Sequence, residues 1–390
     1  MLAAFTNTLF TQTVAFAADE FHISNSAQGL GSAIVRWGIV ISLPVVARAD
    51  SSGRRPVIVA LSWAAPVVCA LGALSPNFGV LVATQAVGRP LGLTLDILLA
   101  VLVIEEMPAD SRAHATGLLA VLSGLGAGVA VASLPLADMS VTSWRWIYVL
   151  SVVWMPVAWA ITRGLPESVR FDAARDVRPG RRKIDRRTVL TRNLALICSV
   201  VFLTNIFIAT MSIFQNRYLK DTRGYSALLV ALFTTATSSP AAVGLVIGGR
   251  VADARGRRVL GAVMVPVGAA MLALSFATRG AVMWWLAILG AVGLGLAYPA
   301  MAVYRGELFP THLRGLAGGL IMTSSLVGGS IGLVGAGRAV DAGVSYGSVM
   351  LTLLVFPVIA SVVVWLSYPE TARLALEEIN PGDAAPRAIP

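Results

Sequence analysis

The sequence predicts an all-α membrane protein with twelve transmembrane helices in two pseudo-symmetric six-helix bundles. The composition, the number of long apolar segments and one internal repeat support this fold class. Hydrophobic residues make up 56 % of the chain and charged residues only 13 %, whereas about a quarter of the residues of a soluble domain are charged. The chain is therefore expected to lie within a membrane.

Apolar segments of about 20 residues, the length that crosses a bilayer as an α-helix, follow one another along the chain. The first one is short and has no basic residue before it, so we expect a few residues to precede Met1. The six predicted spans of the first half are 1–18, 28–46, 57–75, 79–104, 113–136 and 144–163, and those of the second half are 193–214, 225–247, 259–278, 281–304, 315–337 and 344–367.

Three short signatures between these segments occur twice, in the same order. Each second copy lies 202 or 203 residues after the first. The pairs are Asp50, Gly53, Arg54 and Arg55 with Asp253, Gly256, Arg257 and Arg258; Glu105, Pro108 and Arg112 with Glu307, Pro310 and Arg314; and Pro166 and Glu167 with Pro369 and Glu370. Two homologous halves are the simplest explanation, and many transporters are built from such repeats.

The charge distribution predicts the domain boundaries and the orientation. Ten basic residues lie between Arg163 and Arg192, counting both, whereas residues 19–29 and 75–78 contain no Lys or Arg. Basic loops stay in the cytoplasm, so both termini are predicted to be cytoplasmic. The protein itself is predicted to lie in the cell membrane. We expect bundles at 1–164 and 193–379, a basic cytoplasmic linker at 165–192 that contacts lipid headgroups, and a disordered tail at 380–390.

Several functional classes have no supporting motif. The two cysteines, Cys69 and Cys198, fall in separate spans, and the sequence contains no HExxH, Walker A or G-x-S-x-G motif. We therefore expect no metal, no cofactor, no enzymatic activity and no ATP-driven pumping. The net charge of +10 lies mostly at the membrane surface, so nucleic acid is not an expected partner. The expected partners are a small-molecule solute, protons and membrane lipids.

The repeated loops resemble those of the major facilitator superfamily, and most of all its sugar-porter and metabolite:proton symporter branches. The stretch GRVADARGRR at 249–258 is similar to the superfamily's loop motif, LPESVRF at 165–171 to the sequence that follows the sixth span of sugar porters, and PETARLALEEI at 369–379 to their tail. The resemblance implies the major facilitator fold, alternating access and a monomer. The seventh span lacks the paired glutamines of sugar porters, which disfavours a sugar substrate.

The resemblance also implies a cytoplasmic gate of charged groups that open and close together. We expect Gly249 to let two helices approach closely, and Asp253 to pair with an arginine while it caps a helix. The alternative is that these charges only fix topology and loop folding. The predicted gate residues are Asp50, Arg54, Arg55, Glu105, Arg112, Glu167, Gly249, Asp253, Gly256, Arg257, Arg258, Glu307, Arg314 and Glu370.

Three charged residues of the first half are predicted to lie deep in the membrane, where a charge needs a partner or a role. Asp96 is our candidate for the coupling proton, and Arg36 and Arg89 are candidates for binding an anionic substrate. A static Arg–Asp pair that locks helices together is the alternative. In the second half only neutral polar groups are available, of which Asn205 and Tyr298 are the candidates.

Three functions follow from these residues. The first is proton-coupled symport of a small organic solute, an anionic metabolite, by alternating access. The second is efflux of drugs or metabolites by proton antiport. The third is a solute sensor that transports nothing, which would need a longer signalling extension than residues 380–390.

Overall fold

The computed structural model describes residues 1–106, 112–165, 192–309 and 314–372, and all regular structure within these ranges is helical. Short 3-10 turns follow α2, α4, α6 and α7. The helices are α1 Leu2–Glu20, α2 Asn25–Trp37, α3 Ser42–Ser52, α4 Arg54–Leu71, α5 Phe78–Glu106, α6 Arg112–Ala132, α7 Trp144–Val149, α8 Met155–Gly164, α9 Arg192–Asp221, α10 Ala227–Arg255, α11 Arg257–Ala277, α12 Gly280–Glu307, α13 Arg314–Asp341, α14 Tyr346–Leu353 and α15 Val355–Ser367.

Eleven segments of the described chain are long and apolar enough to cross a membrane. Each corresponds to one predicted span, and several are built from two helices in succession. The helix α1 is the remaining predicted span and is not among the eleven. Twelve of its nineteen residues are nevertheless buried, because α1 packs between α5, α6 and α4. A helix enclosed by other helices can carry Thr, Asn and Gln without exposing them to lipid.

The described residues form two compact units. One contains the described parts of Met1–Arg181 and Ile213–Leu232, and the other those of Arg182–Ser212 and Phe233–Pro390. We call them unit 1 and unit 2. The end of α9 and the start of α10 thus belong to unit 1, although the repeat assigns them to the second half. The predicted linker lies outside the described residues from 166 to 191, as does the whole of the predicted tail.

The repeat that the sequence predicts is visible in the backbone at corresponding turns. Gly53 and Gly256 have φ angles of 99° and 105°, in the region that glycine adopts without steric strain. His22 and Gly224 also have positive φ, at 50° and 65°. The signatures therefore mark the same local structure twice.

Glycines allow close helix contacts in unit 2. A Cβ on Gly268 of α11 would lie 2.8 Å from the backbone nitrogen of Leu294 in α12, so only glycine fits there. The expectation for Gly249 was wrong: no described atom lies within 4 Å of where its Cβ would stand. Its neighbour Gly248 instead packs against the backbone of Leu296, because successive residues of a helix point about 100° apart.

Candidate functional site

The two candidate arginines of the first half come together in unit 1. Arg89 lies on α5, where its Nε–H donates hydrogen bonds to Oδ1 of Asn7 at 2.9 Å and to the Asn7 carbonyl oxygen at 3.2 Å. Arg36, on α2, lies close enough for its positive charge to act on the Arg89 guanidinium. Both arginines are partly buried. Arg89 is thus held against α1, within electrostatic range of Arg36 on α2.

A proline explains how α2 comes so close to α5. Pro90 lies inside α5 and has no backbone N–H, so the carbonyl of Ala86 loses its usual partner in the helix. Gly38 packs directly against this carbonyl, where a Cβ would collide with it. In addition, Ser42 Oγ donates to the Pro90 carbonyl at 3.3 Å. These contacts bring the chain that follows α2 against α5 at Pro90, the residue after Arg89.

Asp96 lies two turns further along α5 than Arg89, which corresponds to about 10 Å at 1.5 Å per residue. Its Oδ1 accepts a hydrogen bond from Ser123 Oγ of α6 at 3.0 Å, and the carboxyl is partly buried. Within the described part of the chain, no ion pair joins Asp96 to either arginine. The static Arg–Asp pair considered from the sequence is thus not formed in this structure.

The two candidates of the second half line one cavity inside unit 2. The cavity has a volume of about 290 Å³ and lies between α9, α11, α12 and α15. Asn205 of α9 and Tyr298 of α12 both contribute to its wall, and Tyr298 is 59 % exposed. The Asn205 amide nitrogen donates to the Val201 carbonyl of its own helix at 3.4 Å. No acidic or basic side chain contributes to the described wall.

The predicted gate residues of unit 2 meet at the turn that precedes α11. The Glu370 carboxylate accepts hydrogen bonds from the backbone N–H groups of Arg257 at 2.9 Å, of Arg258 at 3.1 Å and of Ala372 at 3.1 Å. Asp253 forms an ion pair with Arg257 at 3.1 Å, in agreement with the expectation that it pairs with an arginine. The helix cap, however, is Glu370 and not Asp253.

These donors determine how Glu370 titrates. Burial on its own raises the pKa of the Glu370 carboxyl, but the backbone N–H groups of Arg257, Ala372 and Arg258 together hold that pKa below its ordinary value. The charged form is favoured because backbone N–H groups point at it, two of which, from Arg257 and Arg258, lie at the start of α11. Glu370 is therefore a carboxylate at neutral pH.

The matching turn of unit 1 uses different contacts. Arg55 donates from Nε to the carbonyl of Leu165 at 2.7 Å and from Nη2 to the carbonyl of Thr162 at 3.2 Å. These carbonyls belong to the end of α8, where a helix attracts positive charge. Arg54 occupies the first position of α4. Glu167, the counterpart of Glu370, lies outside the described residues.

For the other predicted gate residues the structure gives backbone positions only. They lie at or near the ends of α3, α5, α6, α12 and α13, as the sequence placed them, and their side chains are not described: Asp50, Glu105, Arg112, Glu307 and Arg314. Their role in a gate stays a prediction.

A polar network in unit 1 was missed from the sequence. Arg217, near the end of α9, is only 9 % exposed. Its guanidinium donates to Gln28 Oε1 at 2.8 Å, to the Ile23 carbonyl at 2.9 Å and to the Ser24 carbonyl at 3.4 Å, and it forms an ion pair with Asp221 at 3.1 Å. The arginine thus ties the end of α9 to the start of α2.

Three further contacts extend this network. Asn216 Nδ2 donates to Oε1 of Gln12 at 2.9 Å, and Lys220 forms an ion pair with Asp19. Asp138 accepts from the first backbone N–H groups of α10, at 2.7 Å from Ala227 and 3.2 Å from Leu228. The sequence contained one signal: Gln12 and Gln28 are polar residues within or at the start of apolar segments, and Arg217 and Lys220 come just after one.

Comparison with known proteins identifies the fold. The sequence model of the Major Facilitator Superfamily matches residues 1–332 and 199–387. No curated protein matches the sequence. Among solved structures, the xylose transporter XylE from E. coli, in an inward open conformation, is similar with a TM-score of 0.74 at 16 % identity, over 97 % of this chain and 97 % of that one.

Two other solved structures are equally extensive matches. A bacterial homolog of the human lysosomal transporter Spinster, inward-facing and occupied, has a TM-score of 0.71 at 15 % identity, over 99 % of this chain and 96 % of that one. A mutant of the nucleoside transporter NupG has a TM-score of 0.74 at 11 % identity, over 94 % and 98 %. At these identities the structures show the fold alone.

The family match covers the chain almost from end to end, and the membrane-length helices and the repeated turns agree with it. The protein is thus a multi-pass membrane transporter and not an enzyme. The chain belongs to the major facilitator superfamily.

Proposed function

We propose that the protein is a secondary active transporter that moves a small organic anion together with protons. The observation that carries this proposal is that two partly buried arginines, Arg36 and Arg89, lie within electrostatic range of each other inside unit 1. Two positive charges that lie close together and partly buried repel each other, and removing them from water is unfavourable. An anionic group that binds near both arginines relieves this repulsion.

The geometry favours a carboxylate or phosphate group over a neutral ligand. A guanidinium donates to both oxygens of such an anion at once, which gives stronger and more directional binding than a single charge contact. Asn7 already accepts from the Nε–H of Arg89, and within this proposal the terminal nitrogens of that side chain are assigned to the solute. The Asn7 contact therefore acts as a support for the arginine.

The coupling proton is assigned to Asp96 within this proposal. Its carboxyl is partly buried, accepts a hydrogen bond from Ser123 and forms no ion pair with Arg36 or Arg89 in the described part of the chain. Because neither arginine holds this carboxyl in an ion pair, we assign to it the proton that moves with the solute. Proton binding would reduce the net negative charge beside an incoming anion, which couples the two events.

Purified protein in liposomes provides the test. A panel of small mono- and dicarboxylates and phosphorylated metabolites is offered with and without an inwardly directed proton gradient, with sugars and cationic dyes as comparison. Accumulation of a member of the anion panel that depends on the gradient supports the proposal. Gradient-dependent movement of dyes or sugars, with none for any anion, contradicts it. Exchange that is stimulated by an acidic interior would instead indicate efflux by proton antiport.

A further inference from the structure

The cavity of unit 2 is mainly apolar, whereas the candidate site of unit 1 contains charged arginine side chains. Its wall consists mainly of aliphatic side chains such as Val201, Ile208, Val265 and Leu294. An engineered apolar cavity of about 150 Å³ in a soluble protein takes up benzene. The 290 Å³ available here is therefore enough for one ring with a short substituent.

One polar group in this wall has no protein partner. Ser361 of α15 is 6 % exposed, and its Oγ forms no hydrogen bond to any residue in the described ranges. The hydroxyl of Thr204, in the same wall, donates to the Val200 carbonyl of its own helix. Serine hydroxyls in helices usually bond their own backbone in this way. The hydroxyl of Ser361 is thus available for a ligand in the cavity.

The balance of polar and apolar wall restricts what can bind. A polyol would place several hydroxyl groups against aliphatic side chains, where each unsatisfied group is unfavourable. A pure hydrocarbon would fill the space but leave the Ser361 hydroxyl unpaired. A molecule with an apolar ring and one hydroxyl or carbonyl group meets both conditions.

We propose that this cavity is a binding site for a small uncharged aromatic or alicyclic molecule whose single hydroxyl or carbonyl group hydrogen-bonds Ser361. The site lies within unit 2, between α9, α11, α12 and α15, and is independent of the arginine pair in unit 1. It therefore stands or falls separately from the proposed anion transport.

Binding of two fluorinated probes to the whole protein in lipid nanodiscs tests the site. The probes are 4-fluorophenol and 4-fluorotoluene, which have similar shapes and differ in the hydroxyl group, and their binding is measured by fluorine NMR against empty nanodiscs. We expect 4-fluorophenol to bind more tightly than 4-fluorotoluene, and glycerol not to compete. Equal binding of both probes, or no saturable binding of either, would overturn the proposal.

Two substitutions locate the binding. Ser361→Ala should weaken 4-fluorophenol binding by about three- to tenfold, the effect of one hydrogen bond, and leave 4-fluorotoluene unchanged. Ala297→Phe, at a buried wall position, should abolish binding of both probes. Unchanged binding of 4-fluorophenol to Ser361→Ala, or retained binding to a folded Ala297→Phe protein, would contradict the assignment.

Matched controls separate these effects from general damage. Ser275→Ala removes a buried hydroxyl that already donates to the Leu272 carbonyl at 2.7 Å, and Ser275 does not line the cavity. Val362→Phe adds a ring next to Ser361 at a position that is 51 % exposed. Both controls should bind the probes like the unchanged protein. If Ala297→Phe does not fold, Val201→Phe blocks the cavity from α9 and replaces it.

Discussion

In unit 1 the candidate binding groups include two partly buried arginines, whereas unit 2 contains a cavity whose described wall has no charged side chain. The turns at the helix ends nevertheless match: Gly53 and Gly256 share their φ region, as do His22 and Gly224. Turn geometry is retained in both halves because few residues can adopt it. Interior side chains can differ between the two halves as long as their volume fits. The functional groups are therefore expected among the interior residues that differ.

The turns themselves also show a difference in detail. In unit 2 a carboxylate, Glu370, accepts from backbone N–H groups at the start of α11, while in unit 1 a guanidinium, Arg55, donates to carbonyls at the end of α8. Both arrangements satisfy groups at a helix end with the charge that the helix dipole favours there. Equivalent loops can thus be stabilised by opposite charges.

The largest effect on transport is expected from Asp96→Asn, which removes an acidic group from the interior of unit 1, whereas the described wall of the cavity in unit 2 has no charged side chain. Accumulation driven by a proton gradient should disappear, whereas exchange of solute across the membrane should continue, because a neutral amide can still bond Ser123 but cannot release a proton. Liposome uptake with and without a gradient measures both. Ser123→Ala, which removes only the hydrogen bond, should keep accumulation. Intact gradient-driven uptake by Asp96→Asn would exclude the proton role.

The next largest effect is expected from Arg89→Gln. Transport of the anion should fall about 10- to 100-fold, because hydrogen bonds to charged groups contribute about 1.5–3 kcal/mol each. Initial rates of uptake at several solute concentrations provide the measurement. Arg163→Gln is the matched control, since that arginine lies at the end of α8, 4.1 Å from the Trp159 ring centroid. An equal loss of transport in both variants would contradict a specific role of Arg89 in binding the anion.

A third effect concerns the polar network that holds the end of α9 within unit 1. Arg217→Gln should lower the stability of the protein by about 1.5–3 kcal/mol, because a buried cation with several acceptors is replaced by a shorter amide. Thermal unfolding in detergent measures the change. Arg223→Gln is the control, because Arg223 lies just beyond α9 and donates to Tyr218 Oη at 2.8 Å. Equal stability of both variants would show that the end of α9 is not held by this network.

The smallest effect is expected at Glu370. Glu370→Gln should lower stability by about 1 kcal/mol, a typical contribution of a helix cap, discounted for partial exposure. Asp253→Asn should change it less, because Asp253 forms an exposed pair within one helix.

The pH dependence of this cap has a definite sign. The pKa of Glu370 is lower in the folded protein than its ordinary value, so the stabilisation is fully present above the unfolded pKa of about 4.3 and is lost as the pH falls through the lowered folded value. The difference between the unchanged protein and Glu370→Gln should therefore be constant near neutral pH and shrink in acid. A difference that grew on acidification would contradict the cap.

Composition and repeat were enough to predict the membrane location, the helical class and the two-fold repeat. These properties depend on averages over many residues and on glycine turns, which are local. The first helix shows the limit of such averages. The sequence predicts it as a short span that is less apolar than the others, and only its place between α4, α5 and α6 explains how it is buried.

For the candidate site, too, the sequence predicts some features and only the tertiary structure gives the others. The sequence by itself determined which charges are exceptional, because a charge within an apolar segment stands out: Arg36, Arg89 and Asp96. Only the tertiary structure decided that Arg89 donates to Asn7 and is not paired with Asp96, and that Ser361 lines a cavity with Asn205. These relations depend on contacts between helices that are distant in the chain. The sequence also does not reveal whether the hydroxyl of a serine in an apolar helix has a hydrogen-bond partner.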